Sequence, residues 1–327
     1  MPKIGVVVHK ELRKTIFSEA DCARLERLGA VRWTDSDKPI DTPAAIALLQ
    51  DCEIGIGSWN TPRPDETLLP ACPRLRLWVH AAGTVKHFFG PHLENRDLSI
   101  CSCAPAIAEC VAEITLGQLI VGLKRVIEND AANRKGRAPK PANSLTLACS
   151  TIGVIGASHV GRNVLRYLQP FRPSILLYDP FVSAEEARVL GAEKCDDLVD
   201  LCRRSHAVTL HAPNLPETRK MLDARHFQAM RDDGVLVNTA RGDCIDEEAL
   251  IGELQKGRLF AFLDVSSPEP AADNSPLRKL PNVIYTSHMA GGPDSRIGRQ
   301  AVDDVAAFLQ GKRPKMQVTV DMLARLA

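Results

Sequence analysis

At 327 residues the chain is longer than one hydrophobic core usually accommodates, so two domains are expected. Hydrophobic residues make up 45% and charged residues 25%, the balance of a globular protein, and a net charge of +1 gives no electrostatic reason to bind nucleic acid or an acidic membrane. With no apolar run read as long enough to span a bilayer and no signal-peptide pattern at the start, the expectation is a cytoplasmic protein with no membrane partner.

The ten cysteines are scattered without C-x-x-C spacing, and Cys101 and Cys103 are the one close pair. In a reducing compartment they read as thiols, mostly buried, and no metal is expected.

Up to about residue 103, short apolar runs alternate with turn-rich pieces: IGVVV from Ile4, EIGIGSWN from Glu53, LRLWVHAAG from Leu75 and LSICSC from Leu98. Helix-like segments at Ser18–Leu28 and Pro43–Leu49 lie between them. This alternation predicts a small parallel sheet with helices on its faces. The third run ends in Ala82-Gly83-Thr84, where Gly83 either lets backbone N–H groups approach a small anion or simply makes a turn.

Apolar residues at helical spacing and the absence of proline predict the longest helix over Ala106–Glu128, with a domain crossing near its start. Glu109 and Glu113 read as helix surface. Residues 129–144, poor in apolar groups, read as a solvated connector.

The stretch Thr151–Asp179, TIGVIGASHVGRNVLRYLQPFRPSILLYD, joins an apolar run, a small-residue turn over Gly156–Gly161, a helix and a second apolar run. This is a β-α-β unit, whose turn points backbone N–H groups at whatever lies beyond the strand end, commonly a dinucleotide pyrophosphate. Ser158 stands where the pattern G-x-G-x-x-G has its middle glycine, as a tolerated small residue that either shifts the phosphates or donates its hydroxyl to them. Asp179 sits where an acid accepts both ribose hydroxyls and repels a 2′-phosphate, favouring NAD over NADP.

Further strands are predicted at Ala207–His211, Val235–Thr239, Phe260–Val265 and Val283–Ser287, with a helix beginning near Asp246. In open α/β sheets ligands bind beyond the carboxyl ends of the strands. Asp294–Leu309 reads as a helix with apolar Ile297, Ala301, Val305 and Phe308, and Val318–Val320 as a short extended segment. The tail is expected to return to the first domain, so that residues 1–103 and 293–327 enclose a domain of residues 104–292.

Three residues at or just beyond strand ends carry the chemistry. Singly, Arg241 could cap a surface loop, Glu269 in SSPEP could face solvent, and His288 could be a hydrogen-bonded core histidine. Together they supply a planar fork for a substrate carboxylate, an orienter and a proton carrier, as hydride transfer to a 2-oxo acid requires. Glu269 on one ring nitrogen would fix the imidazole of His288 and favour its cation. Asp264, at a strand end, could accept from the nicotinamide carboxamide.

The segments LVNTARGDCIDEEAL, FLDVSSPEP and NVIYTSHMAGG, in that order, resemble those of the D-isomer-specific 2-hydroxyacid dehydrogenases, NAD(P)-dependent enzymes that include phosphoglycerate, glycerate and D-lactate dehydrogenases. The resemblance covers nearly the whole chain and implies two doubly wound α/β domains, a Rossmann cofactor domain inserted into a smaller flavodoxin-like substrate domain. It implies Arg241, Glu269 and His288 as the catalytic set. NAD contacts are implied at Gly156, Ser158, His159, Val160, Gly161, Asp179, Ala212, Pro213, Thr218, Thr239, Ala240, Arg241, Asp264, His288 and Gly291. A 2-hydroxy or 2-oxo acid substrate would meet Ala82, Gly83, Thr84, Arg241 and His288, in a homodimer formed through the cofactor domain with the long helix as contact.

Departures from the family pattern are Ser158, the segment CAPAIAECVAE, which keeps Val-Ala-Glu but lacks the asparagine often found shortly before it, and the run Thr84-Val85-Lys86-His87 in place of Val-Asp-x-Ile, where Lys86 and His87 either face solvent or favour an acidic or phosphorylated substrate. Two alternatives remain open: a dinucleotide-sensing co-repressor of the same fold, and a dehydrogenase of an unusual substrate such as phosphite.

Overall fold

A computed structural model describes residues 1–93, 96–136 and 143–325 of the chain. Its strands are β1 (Lys3–Val6), β2 (Ala30–Trp33), β3 (Ile54–Gly57), β4 (Leu77–His80), β5 (Ser99–Ser102), β6 (Thr151–Ile155), β7 (Ser174–Tyr178), β8 (Glu193–Lys194), β9 (Ala207–Leu210), β10 (Val235–Asn238), β11 (Phe260–Leu263), β12 (Val283–Tyr285) and β13 (Gln317–Val318). The chain divides into two compact units: Met1–Ile107 with the chain from Gly292 onward, and Ala108–Gly291. The division falls between Ile107 and Ala108, in the first turn of the helix Ala104–Leu123, and the sequence suggested a crossing near the start of its longest helix.

The first unit holds a sheet of order β13-β5-β4-β3-β1-β2, parallel except for β13, which runs antiparallel to β5. Its parallel part has the 2-1-3-4-5 order of flavodoxin-like doubly wound folds. Strands β3 and β4 are buried along their whole length because helices cover both faces. Trp78 on β4 is fully buried, and β3 makes room with Gly55 and Gly57, where an added Cβ would lie 2.7 and 2.6 Å from its ring. From the tail, the helix Ser295–Leu309 is capped by Asp294 and sends Ile297, Ala301, Val302 and Val305 into the core with Ile4, Val6 and Val79.

The second unit holds a wholly parallel sheet of order β12-β11-β10-β9-β6-β7-β8. Counted from β6 this is the 3-2-1-4-5-6 order of a Rossmann sheet with one strand added, and the order reverses between β6 and β9.

Two helix expectations change. The long helix ends at Leu123 rather than Glu128, because Arg125 turns left-handed at φ 55° before a second helix, Val126–Asn133. Its nearly buried guanidinium explains the break: it donates to the Asp233 carbonyl and lies 3.3 Å from Glu128 and 3.4 Å from the Asp233 carboxylate. Part of the expected connector is therefore helical, and 137–142 of it lie outside the described residues. Ala104–Leu123 is also, by length and composition, long and apolar enough to cross a membrane, contrary to expectation. Half of it is buried within the protein, with Ala112, Leu119 and Leu123 in the core of the second unit.

None of the ten cysteines is in a disulfide, and all but Cys22, Cys110 and Cys149 are buried. Burial pushes the thiols of Cys72 and Cys202 up to about 11 and about 12, so they behave as small apolar groups.

Asp304, on the helix Ser295–Leu309, is only 2% exposed. Oδ1 accepts from the Met316 amide at 3.3 Å, and Oδ2 has no hydrogen-bond partner among the described residues. Burial raises its carboxyl from the ordinary 3.8 to about 6. The fold therefore favours the protonated form: its contribution is complete below about pH 3.8 and is lost as pH rises through about 6. Asp304→Asn should be more stable than the natural protein at pH 8, by at most roughly 2–3 kcal/mol. Urea unfolding should show the difference disappearing near pH 4; a gap of equal size at both values would mean that charge burial is not its source.

Candidate active site

The glycine turn expected to receive a dinucleotide begins where β6 ends. Gly156 takes φ +94°, and a Cβ there would lie 2.8 Å from the Ala212 amide nitrogen. A Cβ on Gly161 would lie 1.9 Å from the Gly156 carbonyl oxygen, so the following helix can sit this close to the strand only with glycine there. Ser158 is the N-cap of the helix His159–Leu168, its hydroxyl accepting from the Gly161 amide at 3.4 Å. That cap is a reason for serine at this position which the glycine pattern did not reveal. The first-turn amides of His159 and Val160 have no acceptor within the helix.

Asp179 follows β7, and its carboxylate accepts from the amides of Ala157 at 2.7 Å and Phe181 at 2.8 Å. The acid thus ties the glycine turn to the neighbouring strand end. Ala212 and Pro213 follow β9 and the buried His211, whose ring is kept neutral by burial, which brings it down to about 3. Thr218 uses its hydroxyl inside its own loop, donating to the Pro213 carbonyl at 2.5 Å and accepting from the Leu215 amide at 2.9 Å. The bare turn and free helix start suit a pyrophosphate, with Asp179 beside them for a ribose.

Beyond β10 the chain turns through Thr239, Ala240 and Arg241. Asn238, 1% exposed, shapes this turn by donating to the Arg241 carbonyl at 3.1 Å and accepting from the Ala240 amide at 3.0 Å. Buried Thr239 meets Thr115 of the long helix, hydroxyl to hydroxyl, at 3.1 Å. The Arg241 guanidinium donates to the Ala240 carbonyl at 2.7 Å and has no ion pair among the described residues. A Cβ on Gly242 would lie 2.0 Å from the Ser266 carbonyl oxygen, so this turn packs directly on the loop after β11.

His288 Nδ1 lies 2.5 Å from Glu269 Oε1, with the side chains 47% and 36% exposed. Glu269, as a carboxylate, can only accept, so Nδ1 carries the proton and Nε2 is left for a ligand. His288 itself is left-handed at φ 53°, a conformation costing a non-glycine residue on the order of 1–3 kcal/mol. Asp264 holds it there. Its carbonyl accepts from the His288 amide at 2.7 Å, and its carboxylate accepts from the Thr286 hydroxyl at 2.6 Å and the amides of Met289 and Ala290 at 2.9 and 2.8 Å. At 1% exposure, Asp264 engages both carboxylate oxygens within this turn. Gly291 closes the same turn.

In the first unit, Ala82, Gly83 and Thr84 follow β4 as a bend. The Gly83 carbonyl accepts from Ser102 Oγ at 2.5 Å, and a Cβ on Gly83 would meet nothing nearer than 4.0 Å. The fold does not demand glycine at this place, which leaves open space above its backbone.

Sequence reasoning missed the braces of this site: Asn238, Ser266, Tyr285 and Asp243. None stands in a spacing that announces chemistry; Asn238 and Ser266 are buried polar residues at or just beyond strand ends, while the partly exposed Tyr285 and Asp243 carry no such signal.

A family model described as D-isomer specific 2-hydroxyacid dehydrogenase, NAD binding domain, matches residues 116–290, more than half of the chain. Over 223 residues the chain is 33% identical to the D-3-phosphoglycerate dehydrogenase of Methanocaldococcus jannaschii, covering 67% of this chain and 42% of that protein. It is 29% identical to the glyoxylate reductase of Thermofilum pendens, covering 80% of each. A D-isomer specific 2-hydroxyacid dehydrogenase of Lactobacillus delbrueckii ssp. bulgaricus, solved with NAD, shares the fold at TM-score 0.79 and 20% identity, with 98% of this chain and 100% of that chain covered.

Gly161→Ala should force the cradle apart without touching Arg241 or His288. NADH titration followed by fluorescence should show affinity weakened roughly tenfold or more, about 1.4 kcal/mol; unchanged binding would remove the turn from the cofactor site.

Proposed function

Because the chain belongs to the D-isomer-specific 2-hydroxyacid dehydrogenase family, whose members are NAD-dependent oxidoreductases, we propose that it interconverts a D-2-hydroxy acid and its 2-oxo acid. The observation carrying this reading is the 2.5 Å contact of His288 with Glu269, in the same unit as a guanidinium that no acid engages among the described residues. Gly156, Ser158, His159, Val160 and Gly161 would receive the pyrophosphate, Asp179 a ribose, and Ala212, Pro213, Thr218, Thr239, Ala240 and Gly291 the remainder. When bound, NAD supplies or accepts the hydride.

Arg241 grips the substrate carboxylate with two parallel N–H donors and polarises the adjacent carbonyl. His288 gives its Nε2 proton to the carbonyl oxygen in reduction and takes it from the hydroxyl in oxidation. Glu269 holds the ring and compensates the charge of the imidazolium. The backbone at Ala82–Thr84 is assigned to substrate, the open space above Gly83 supporting that role. A second copy would pack on the face of Ala104–Leu123 that carries Cys110, Ile114, Gly117 and Val121, none of them fully buried. Light scattering should give a dimer mass, and a monomer at micromolar concentration would remove this contact.

The deciding measurement is NADH and NADPH consumption with glyoxylate, hydroxypyruvate, pyruvate, phenylpyruvate, 2-oxoglutarate and 3-phosphohydroxypyruvate. Turnover of one of them with NADH preferred supports the reading; NADH binding with no turnover favours a sensing role. His288→Asn should lower kcat by roughly 10²–10⁴ with NADH affinity kept. Arg241→Lys should lower kcat/KM for the oxo acid about tenfold or more, since an ammonium cannot reproduce the two-pronged grip. Unchanged kinetics in either variant would remove that residue from its role.

A further inference from the structure

The loop that carries Glu269 is tied to the strand that leads to His288 by a directional run of hydrogen bonds. Ser266 Oγ lies 2.8 Å from the Pro268 carbonyl, 2.9 Å from the Tyr285 hydroxyl, and the Ala271 amide lies 3.0 Å from that same hydroxyl. A carbonyl can only accept and an amide can only donate. Ser266 must therefore give its proton to Pro268, Tyr285 must give its proton to Ser266, and the Tyr285 oxygen receives the Ala271 N–H. Each hydroxyl has one proton, so the run has one consistent direction: Ala271 N–H to Tyr285, Tyr285 to Ser266, Ser266 to Pro268.

The two ends of this run fall on either side of Glu269, one residue before it and two after. Ser266 is 4% exposed, so bulk water is poorly placed to substitute for its partners. The Tyr285 ring adds a second hold. Arg278 lies over it at 5.7 Å and donates to the carbonyls of Ala271 at 2.7 Å and Ala272 at 3.1 Å. Tyr285 is also the last residue of β12, three positions before His288, so one side chain fixes the carboxylate loop to the strand that delivers the imidazole.

We propose that Tyr285 and Ser266 are positioning residues for the Glu269–His288 pair, fixing the tautomer of His288 through the loop that carries Glu269. This rests on the roles proposed above for His288 and Glu269. With Glu269 seated, the neutral ring holds its proton on Nδ1 and presents Nε2 as an acceptor. With Glu269 displaced, the ring is free to adopt the Nε2–H form, and the proton carrier faces substrate in the wrong state.

Tyr285→Phe keeps the ring under Arg278 and removes only the hydroxyl; Ser266→Ala removes the middle of the run. Long-range ¹H–¹⁵N correlation of histidine-labelled protein at alkaline pH reads the tautomer without any turnover, the His288 signals being assigned by their loss in His288→Asn. The natural protein should show the Nδ1–H form, both variants a mixture, and the double variant no more than either single, because the three groups act as one unit. Turnover in both variants should fall roughly tenfold in kcat with NADH affinity unchanged. Retention of the Nδ1–H form in Tyr285→Phe and Ser266→Ala would overturn the proposal. Failure of the natural protein to reduce any 2-oxo acid would instead overturn the functional reading, while the tautomer measurement still decides this one.

Discussion

The carboxylate of Asp264 is 1% exposed and accepts from one hydroxyl and two amides, while its own amide donates to the Asn238 carbonyl at 3.0 Å and its carbonyl receives the His288 amide. A buried ion without partners is costly, and here the chain supplies them all from the turn that must be held. Asn238, on the adjacent strand, does the same for the turn carrying Arg241. Two buried polar side chains at neighbouring strand ends thus convert sheet geometry into the placement of two solvent-facing functional groups. The left-handed backbone of His288 is affordable only because that scaffold over-determines it.

Much of the fold could be read from apolar runs and their punctuation. The runs at β1, β3, β4, β5, β6, β9, β10, β11 and β12 are all short, apolar and bounded by turns, which is the mark of strands covered on both faces. What escaped lies at the sheet margins. AVRW of β2 and the two-residue β8 are half exposed and carry no continuous apolar signal. The antiparallel sense of β13 is decided by the path of the tail, which composition does not encode. The early end of the long helix has a similar cause: Val126 and Ile127 continue the apolar rhythm, but Arg125 is drawn to Asp233, 108 positions away.

Legibility of the site followed a similar line. Arg241, Glu269 and His288, residue types suited to chemistry, stood out at or just beyond strand ends because nothing in packing calls for them there. The roles of their supports depend on directions that a sequence does not give. Ser158, read as a tolerated small residue, also caps its helix; the hydroxyl of Thr218 bonds within its own loop; the carboxylate of Asp264 anchors the His288 turn. In each, a short polar side chain has several possible partners within one turn of chain, and only the fold selects among them.

Glu269 and His288, at 36% and 47% exposed, are too open for their pairing to stabilise the fold appreciably, since solvent screens such a contact and each side chain loses freedom in making it. Their geometry must come from elsewhere. The loop that carries Glu269 is short of regular structure, yet its serines find fixed partners: Ser266 the Pro268 carbonyl, Ser267 the carboxylates of Glu247 at 2.8 Å and Asp243 at 2.5 Å. Burial raises the carboxyl of Glu247, which accepts from the Ser267 amide and is partly shielded from solvent. An exposed pair can therefore be exact in position without contributing stability, provided that buried neighbours carry the energetic load. That separation lets the groups proposed to react stay open to solvent while the strands beneath them set where they stand.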